Sequence, residues 1–84
     1  MEEQEIGVVE HFFDKISVGI IKLNGVLKVG DTIHIKGKQS DFSQKIESLR
    51  IEFTVVTEAK EGDKVGTKVA QPVHISDKVY KVIG

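Results

Sequence analysis

Three histidines, His11, His34 and His74, are the side chains best suited to proton transfer or metal binding in this 84-residue chain. They lie far apart in the sequence, and none belongs to a His-x-x-x-His pair or a similar ligand pair. Cysteine is absent, which excludes disulfides, thiolate zinc sites and a cysteine nucleophile. The carboxylates are numerous, but none falls in the apolar surroundings that favour a general acid. The sequence therefore predicts no catalytic residue and no metal site.

The glycine motifs that bind nucleotides are also absent from the sequence. Neither Gly-x-x-x-x-Gly-Lys-Ser/Thr nor a helix-opening Gly-x-Gly-x-x-Gly occurs among the eight glycines. We therefore expect no bound nucleotide and no cofactor, and we assign the glycines to turns and bulges.

Four basic residues form the candidate binding patch: Lys36, Lys38, Lys45 and Arg50. They surround the loop of residues 37–43, which also carries Phe42. Basic side chains beside an aromatic can hold a phosphate backbone and a stacked base, so the patch is a candidate RNA contact. The alternative is an ordinary charged loop with Phe42 in the core. Because 12 basic residues stand against 13 acidic ones, we expect any RNA affinity to be weak and salt-sensitive.

Two Gly-Asp turns, Gly30-Asp31 and Gly62-Asp63, organise the chain around these side chains. Glycine adopts a positive φ that a residue with a Cβ resists, and aspartate can bond to nearby backbone amides. The sequence therefore predicts a tight turn with a positive φ at each glycine.

Each of these turns leads into an alternating run. After Gly30-Asp31, Ile33 and Ile35 fall on one side of the predicted strand 32–37, and His34 falls on the other side, which faces solvent. After Gly62-Asp63 the same alternation predicts the strand 64–70. We expect the residues at inward positions to share one core: Ile33, Ile35, Leu49, Val65 and Val69.

Further strands are predicted over residues 6–13, 16–23 and 78–83, with a bulge near Gly19.

The secondary structure of residues 42–53 is ambiguous. Phe42, Ile46, Leu49 and Phe53 fit the spacing of an amphipathic helix, whereas the β-branched residues that follow favour a strand with a change of side between Ile46 and Leu49.

Six or seven short strands separated by turns predict an all-β fold, in the form of a small closed antiparallel β-barrel. We expect an acidic tail at residues 1–5 and a single domain over residues 6–84. No apolar run approaches the length of a membrane span, and the acidic start is unlike a signal peptide. We therefore expect a cytoplasmic location and no membrane partner.

The order of turns and strands resembles the second domain of translational GTPases such as elongation factor Tu. The resemblance rests on Ile6-Gly7-Val8-Val9, Gly19-Ile20-Ile21-Lys22-Leu23, residues 27–37, Ile46-Glu47-Ser48-Leu49 and residues 58–66. It covers residues 6–82 and implies a closed antiparallel β-barrel with strand structure over residues 42–53. It does not imply GTP hydrolysis, because the domain that carries the phosphate loop of those GTPases has no counterpart in this sequence.

Two functions follow as expectations. Residues 32–42 and 77–82 look like the small stand-alone proteins described as translation elongation factor-like, which implies a non-catalytic module that contacts tRNA, rRNA, the ribosome or a protein partner. A similar barrel also resembles the C-terminal extension of some collagenase-type peptidases, which implies the alternative of an accessory domain for a separately encoded enzyme of that kind. In neither case do we expect the chain itself to be an enzyme.

Overall fold

The computed structural model describes residues 2–83. This part of the chain contains ten β-strands and no helix. In chain order they are β1 (Glu2–Phe13), β2 (Val18–Leu23), β3 (Leu27–Lys28), β4 (Thr32–Lys36), β5 (Asp41–Lys45), β6 (Leu49–Ile51), β7 (Thr54–Val56), β8 (Glu58–Ala59), β9 (Lys64–Lys68) and β10 (Lys78–Ile83). The predicted all-β class is therefore confirmed. Residues 2–5 belong to β1, where they pair with β10, rather than to a separate tail.

Eight strands form one antiparallel sheet in the order β5-β4-β10-β1-β2-β9-β6-β7. The two short strands β3 and β8 pair with each other in a second sheet. The long strand β1 lies near the middle of the large sheet, so it carries β2 on one side and the last strand, β10, on the other. The sheet therefore brings the two ends of the described chain together.

The closed barrel that we predicted is not found among residues 2–83, because β5 and β7 are the two edges of the large sheet and no backbone ladder joins them. β5 stops at Lys45, and the backbone of Ile46 then bonds to the first Gly-Asp turn: its N–H donates to the Asp31 carbonyl at 2.8 Å, and its carbonyl accepts from the Gly30 N–H at 2.8 Å. Residues 46–48 then connect β5 to β6 without regular strand structure, and no ladder joins β5 to β9.

A side-chain amide bridges the resulting seam between β5 and the end of β9. Nε2 of Gln44 donates to the Lys68 carbonyl at 2.7 Å, and Oε1 accepts from the Ala70 N–H at 2.7 Å. A primary amide offers a donor and an acceptor like those of a peptide group. Gln44 therefore replaces a backbone bridge at the point where a barrel would close.

The core confirms the predicted inward positions. Ile33, Ile35, Leu49 and Val65 are fully buried, and Val69 is 4% exposed. They belong to one cluster with residues from β1, β2, β3, β5 and β10. Phe42 is also in this cluster, so the interpretation that places Phe42 in the core is correct.

The prediction of a bulge near Gly19 in β2 is wrong. The register shift lies instead in the neighbouring strand β1, between Val9 and His11. β2 itself pairs without interruption with β9, from Val18 opposite Lys68 to Lys22 opposite Lys64. Since β2 keeps a strict alternation, Ile21 and Leu23 face the core while Val18 and Ile20 lie on the opposite face of the sheet. This second apolar face becomes part of the candidate site.

Residues 42–53 contain strands and no helix, as the resemblance implied, but they are not one bulged strand. The chain leaves the sheet at residues 46–48, and this break changes the side on which the apolar residues point. Both Ile46 and Leu49 are fully buried as a result.

The two Gly-Asp turns have the predicted geometry. Gly30 has a φ of 99° and Gly62 a φ of 92°. Oδ2 of Asp31 accepts from the Lys28 N–H at 2.9 Å, and Oδ2 of Asp63 accepts from the Lys60 N–H at 3.0 Å. The two turns are thus stabilised in the same way.

Candidate functional site

An open apolar groove of about 660 Å³ lies on the outer face of β2 and β9, and we call it the β2/β9 groove. Its floor consists of Val18, Ile20 and Gly66. Because Gly66 has no side chain, Val18 and Ile20 can lean over β9: a Cβ on Gly66 would lie 3.4 Å from a methyl carbon of each. β2 is paired along its length with β1 and β9, and β9 is joined to β6 at the pair Arg50–Gly66, so the centre of the floor offers side chains and not a free backbone edge.

One wall of the groove is the two-residue turn between β6 and β7, formed by Glu52 and Phe53. Both residues have a positive φ, 48° and 69°, as a type I′ turn requires. Asn-Gly is the favoured sequence for such a turn, and a bulky residue in this conformation costs about 1–2 kcal/mol. The turn nevertheless presents Phe53 with 98% of its surface exposed. Backbone strain that displays an aromatic side chain in solvent points to a functional surface.

The opposite wall is the turn between β1 and β2. Phe13 is 45% exposed and Ile16 is 61% exposed, although both belong to the residue types that fold into cores. The Ile16 N–H donates to the Phe13 carbonyl at 3.3 Å, and the next residue, Ser17, has a φ of 55°. The His11 ring lies 4.4 Å from the Phe13 ring, centroid to centroid, so it packs against that wall.

Basic side chains edge the groove. Arg50, Lys64 and Lys68 contribute positive charge, and Glu52 contributes one negative charge. Nζ of Lys64 lies 3.3 Å from Oε2 of Glu10, so part of its charge is neutralised within the domain. The groove therefore combines an apolar centre with a predominantly basic rim.

The four residues of the predicted patch do not meet in one place. Lys36 pairs with Asp41 near the tip of the β4–β5 hairpin, which also carries Lys38, whereas Lys45 pairs with Thr32 about 13 Å away at the other end. Arg50 lies on β6, at the rim of the β2/β9 groove. Their contact with RNA stays a prediction.

A Ser-His-Asp cluster, which the sequence analysis missed, joins the β4–β5 hairpin to the loop before β10. Oγ of Ser40 lies 3.2 Å from Nδ1 of His74, and Oδ2 of Asp77 lies 3.7 Å from the same nitrogen. In a catalytic triad the histidine contacts the nucleophile and the carboxylate through opposite ring nitrogens. Oδ2 of Asp77 instead accepts from the His74 backbone N–H at 2.9 Å, which is a turn contact. The cluster therefore stabilises two loops and does not have the geometry of a hydrolase.

The Asp77 carboxylate also explains the glycine at the tip of the β4–β5 hairpin. A Cβ on Gly37 would collide with both Oδ1 and Cγ of Asp77, which is only 5% exposed. The long sequence separation of these residues left no local signal of their contact.

His34 lies on the outer face of β4, as predicted, but it contacts two carboxylates that the sequence did not indicate. Nδ1 lies 2.7 Å from Oε2 of Glu3 on β1, and Nε2 is hydrogen-bonded to Asp41 on β5. The hydrogen bond with Asp41, and then that with Glu3, raises the pKa of His34 above 6.5. The same bond with His34 lowers the pKa of Asp41.

Because both ring nitrogens of His34 are occupied, this cluster ties β1, β4 and β5 together across β10 and leaves no nitrogen for catalysis. Within residues 2–83, no group of three or more histidine, aspartate or glutamate side chains could hold a metal ion. The same range contains no helix that is long and apolar enough to cross a membrane.

Comparison with known proteins places the chain beside peptidases. No family model matches the sequence. The chain is 42% identical over 77 residues to an uncharacterized protease of Methanocaldococcus jannaschii, a match that covers 90% of this chain and 19% of the relative. It is 32% identical over 72 residues to a collagenase of Porphyromonas gingivalis, covering 83% of this chain and 20% of the relative. The chain thus spans about a fifth of the length of these curated relatives.

The fold matches two crystal structures of the C-terminal domain of a putative U32 peptidase from Geobacillus thermoleovorans. One has a TM-score of 0.89 at 19% identity and covers 95% of this chain and 93% of that domain. The other, a selenomethionine variant, has a TM-score of 0.87 at 19% identity, with 90% and 96% covered. At this level of identity the match establishes the shared fold alone.

These findings correct the assignment to translation. The relatives are named protease and collagenase, and the structural neighbours are C-terminal domains of a U32 peptidase. The predicted identity as a translation elongation factor-like protein with a role in protein biosynthesis is therefore wrong. The order of turns and strands on which it rested describes how short strands are connected, and a fold of this kind does not determine function.

Proposed function

We propose that the chain is a non-catalytic accessory domain that binds the catalytic part of a collagenase-type peptidase. The observation that carries this proposal is the extent of the sequence match. Nearly the whole chain aligns, at 42% identity, with only 19% of a protein named a protease, which leaves four fifths of that relative for the catalytic machinery. The fold match to a C-terminal domain of a peptidase supports the same division of roles.

The chemistry of the described residues supports a role without catalysis. The Ser40, His74 and Asp77 side chains meet at a single ring nitrogen, and His34 is held by two carboxylates. Ser40 is only 4% exposed, so a substrate cannot reach its hydroxyl, and the histidine of neither cluster is oriented by a carboxylate on the nitrogen opposite a nucleophile. By contrast, the β2/β9 groove presents exposed aromatic and aliphatic side chains that are suited to protein contact.

An exchange of segments in the P. gingivalis collagenase tests this function. Three proteins are compared for gelatin hydrolysis: the intact collagenase, a version without the 72 residues that match, and a version in which this chain replaces them. We expect the deletion to lower the rate, the replacement to restore part of it, and the 84-residue chain alone to hydrolyse nothing.

A replacement that carries Ile35→Asp is the matched control, because Ile35 is fully buried and the variant domain should not fold. It should behave like the deletion. Gelatin hydrolysis by the chain alone, or a replacement no more active than the deletion, would contradict the proposed function.

A further inference from the structure

We infer that the β2/β9 groove is the surface through which this domain docks on the peptidase domain, and that the docked surface is apolar with carboxylates at its edge. The inference rests on the proposed function. It adds the site of contact and the chemistry of the partner surface.

The exposed side chains around the groove are the first argument. Phe13, Ile16 and Phe53 stand on two separate turns and line the same groove. Phe53 is almost fully exposed at a position where its backbone is strained, so no stabilisation within the domain accounts for it. Apolar side chains that gain from burial only against a second molecule are typical of the centre of a protein interface.

The charge around the groove defines the partner surface. Arg50 and Lys68 lie on the rim beside the partly neutralised Lys64, with Glu52 as the acidic residue among them. The acidic residues at the start of β1, such as Glu3 and Glu5, lie at the other end of that strand from Phe13. A partner with carboxylates around an apolar surface is complementary to this arrangement.

The floor of the groove favours a folded partner over an extended peptide. An extended peptide is commonly bound through the free backbone edge of a strand. β2 is paired along its whole length with β1 and β9, and β9 is joined to β6 where Arg50 lies opposite Gly66, so the centre of the floor offers side chains and no free strand edge. A standard interface of about 800 Å² on each partner would take roughly a seventh of the 5431 Å² of accessible surface, which the domain can supply.

The test uses the M. jannaschii protease without the 77 residues that match this chain. The fluorescently labelled 84-residue chain is titrated with this truncated protein, and the dissociation constant is obtained from anisotropy. We expect the unaltered chain to bind, and Phe13→Ala and Phe53→Ala each to raise Kd at least tenfold. Ile75→Ala is the matched control, since Ile75 is 66% exposed and lies outside the groove, and it should change Kd less than twofold.

The rim is tested by a double substitution, Arg50→Glu with Lys68→Glu. We expect it to slow association at least tenfold at low salt and to remove most of the salt dependence of the association rate. Melting temperatures of all variants are measured alongside, so that a loss of binding can be separated from unfolding.

The outcomes separate the two proposals. If the unaltered chain does not bind the truncated protease, the proposed function fails and this inference fails with it. If it binds and the groove variants bind equally well, the groove is not the docking surface while the proposed function stands. Self-association that depends on Phe53 in sedimentation velocity, or tighter binding through Phe53 to gelatin or to poly(U) RNA, would overturn the inference by identifying a different occupant.

Discussion

Phe53→Gly is predicted to stabilise the isolated domain while it removes the proposed docking contact. In the turn between β6 and β7, Phe53 has a φ of 69° and is 98% exposed. Replacement by glycine therefore removes a strained conformation and almost no buried contact.

The expected size of the effect follows from two opposing contributions. Relief of the positive φ is worth about 1–2 kcal/mol, and the greater freedom of glycine in the unfolded chain costs about 0.5–1 kcal/mol. The net gain then lies between about 0 and 1.5 kcal/mol, and its midpoint of about 0.75 kcal/mol corresponds to an increase in Tm of roughly 3–6 °C for a domain of this size.

Urea denaturation and a thermal melt followed by circular dichroism measure this change. Phe42→Gly is a useful contrast, because Phe42 is 9% exposed within the core and its loss should cost several kcal/mol. A fall in Tm of several degrees for Phe53→Gly would refute the reasoning, since it would mean that Phe53 packs within the domain.

Three further predictions concern stability. Ile35→Asp should unfold the domain, because Ile35 is fully buried. An unpaired buried charge costs several kcal/mol, which is about the whole stability of a small domain. A variant that melts at the same temperature as the parent would contradict the assigned register. His34→Gln should lower Tm more at pH 6 than at pH 9. The raised pKa of His34 means that its bonds with Asp41 and Glu3 stabilise the fold fully below pH 6.5 and lose that effect as the pH rises through the folded pKa; an equal loss at both pH values would contradict this. Gln44→Ala should cost about 1 kcal/mol and speed hydrogen exchange at the Ala70 amide, which donates to the Gln44 side chain; unchanged exchange would show that the seam does not depend on this bridge.

Local pattern predicted the parts of the fold that depend on neighbouring residues. The alternation around His34 placed Ile33 and Ile35 in the core, and the Gly-Asp pairs gave both positive φ values. The same patterns could not distinguish an open sheet from a closed barrel, because inward and outward positions alternate in both. Whether the sheet closes depends on where β5 ends. At that point Gln44 contacts Lys68 and Ala70, which are distant from it in sequence.

The candidate site was harder to predict, because its apolar residues lie on the outer surface, whereas such residues in strands are usually buried. Apolar residues in a strand pattern indicate a core, so Val18 and Ile20 gave no sign of an outward surface. The uninterrupted pairing of β2 with β9 decides which face they occupy, and that pairing is visible only in the structure. The one available signal was Phe53 beside Glu52 in a two-residue turn, at positions where Asn-Gly is usual.

The central claim is that this domain docks on a peptidase through the β2/β9 groove, and an NMR titration tests it most directly. The amide signals of the ¹⁵N-labelled chain are followed as the truncated M. jannaschii protease is added. The account predicts that signals from Phe13, Phe53 and Gly66 shift or broaden, while those of Lys38 and Ile75, outside the groove, stay in place. Changes confined to the β4–β5 hairpin, or a spectrum that does not change at saturating concentrations of the protease, would contradict it.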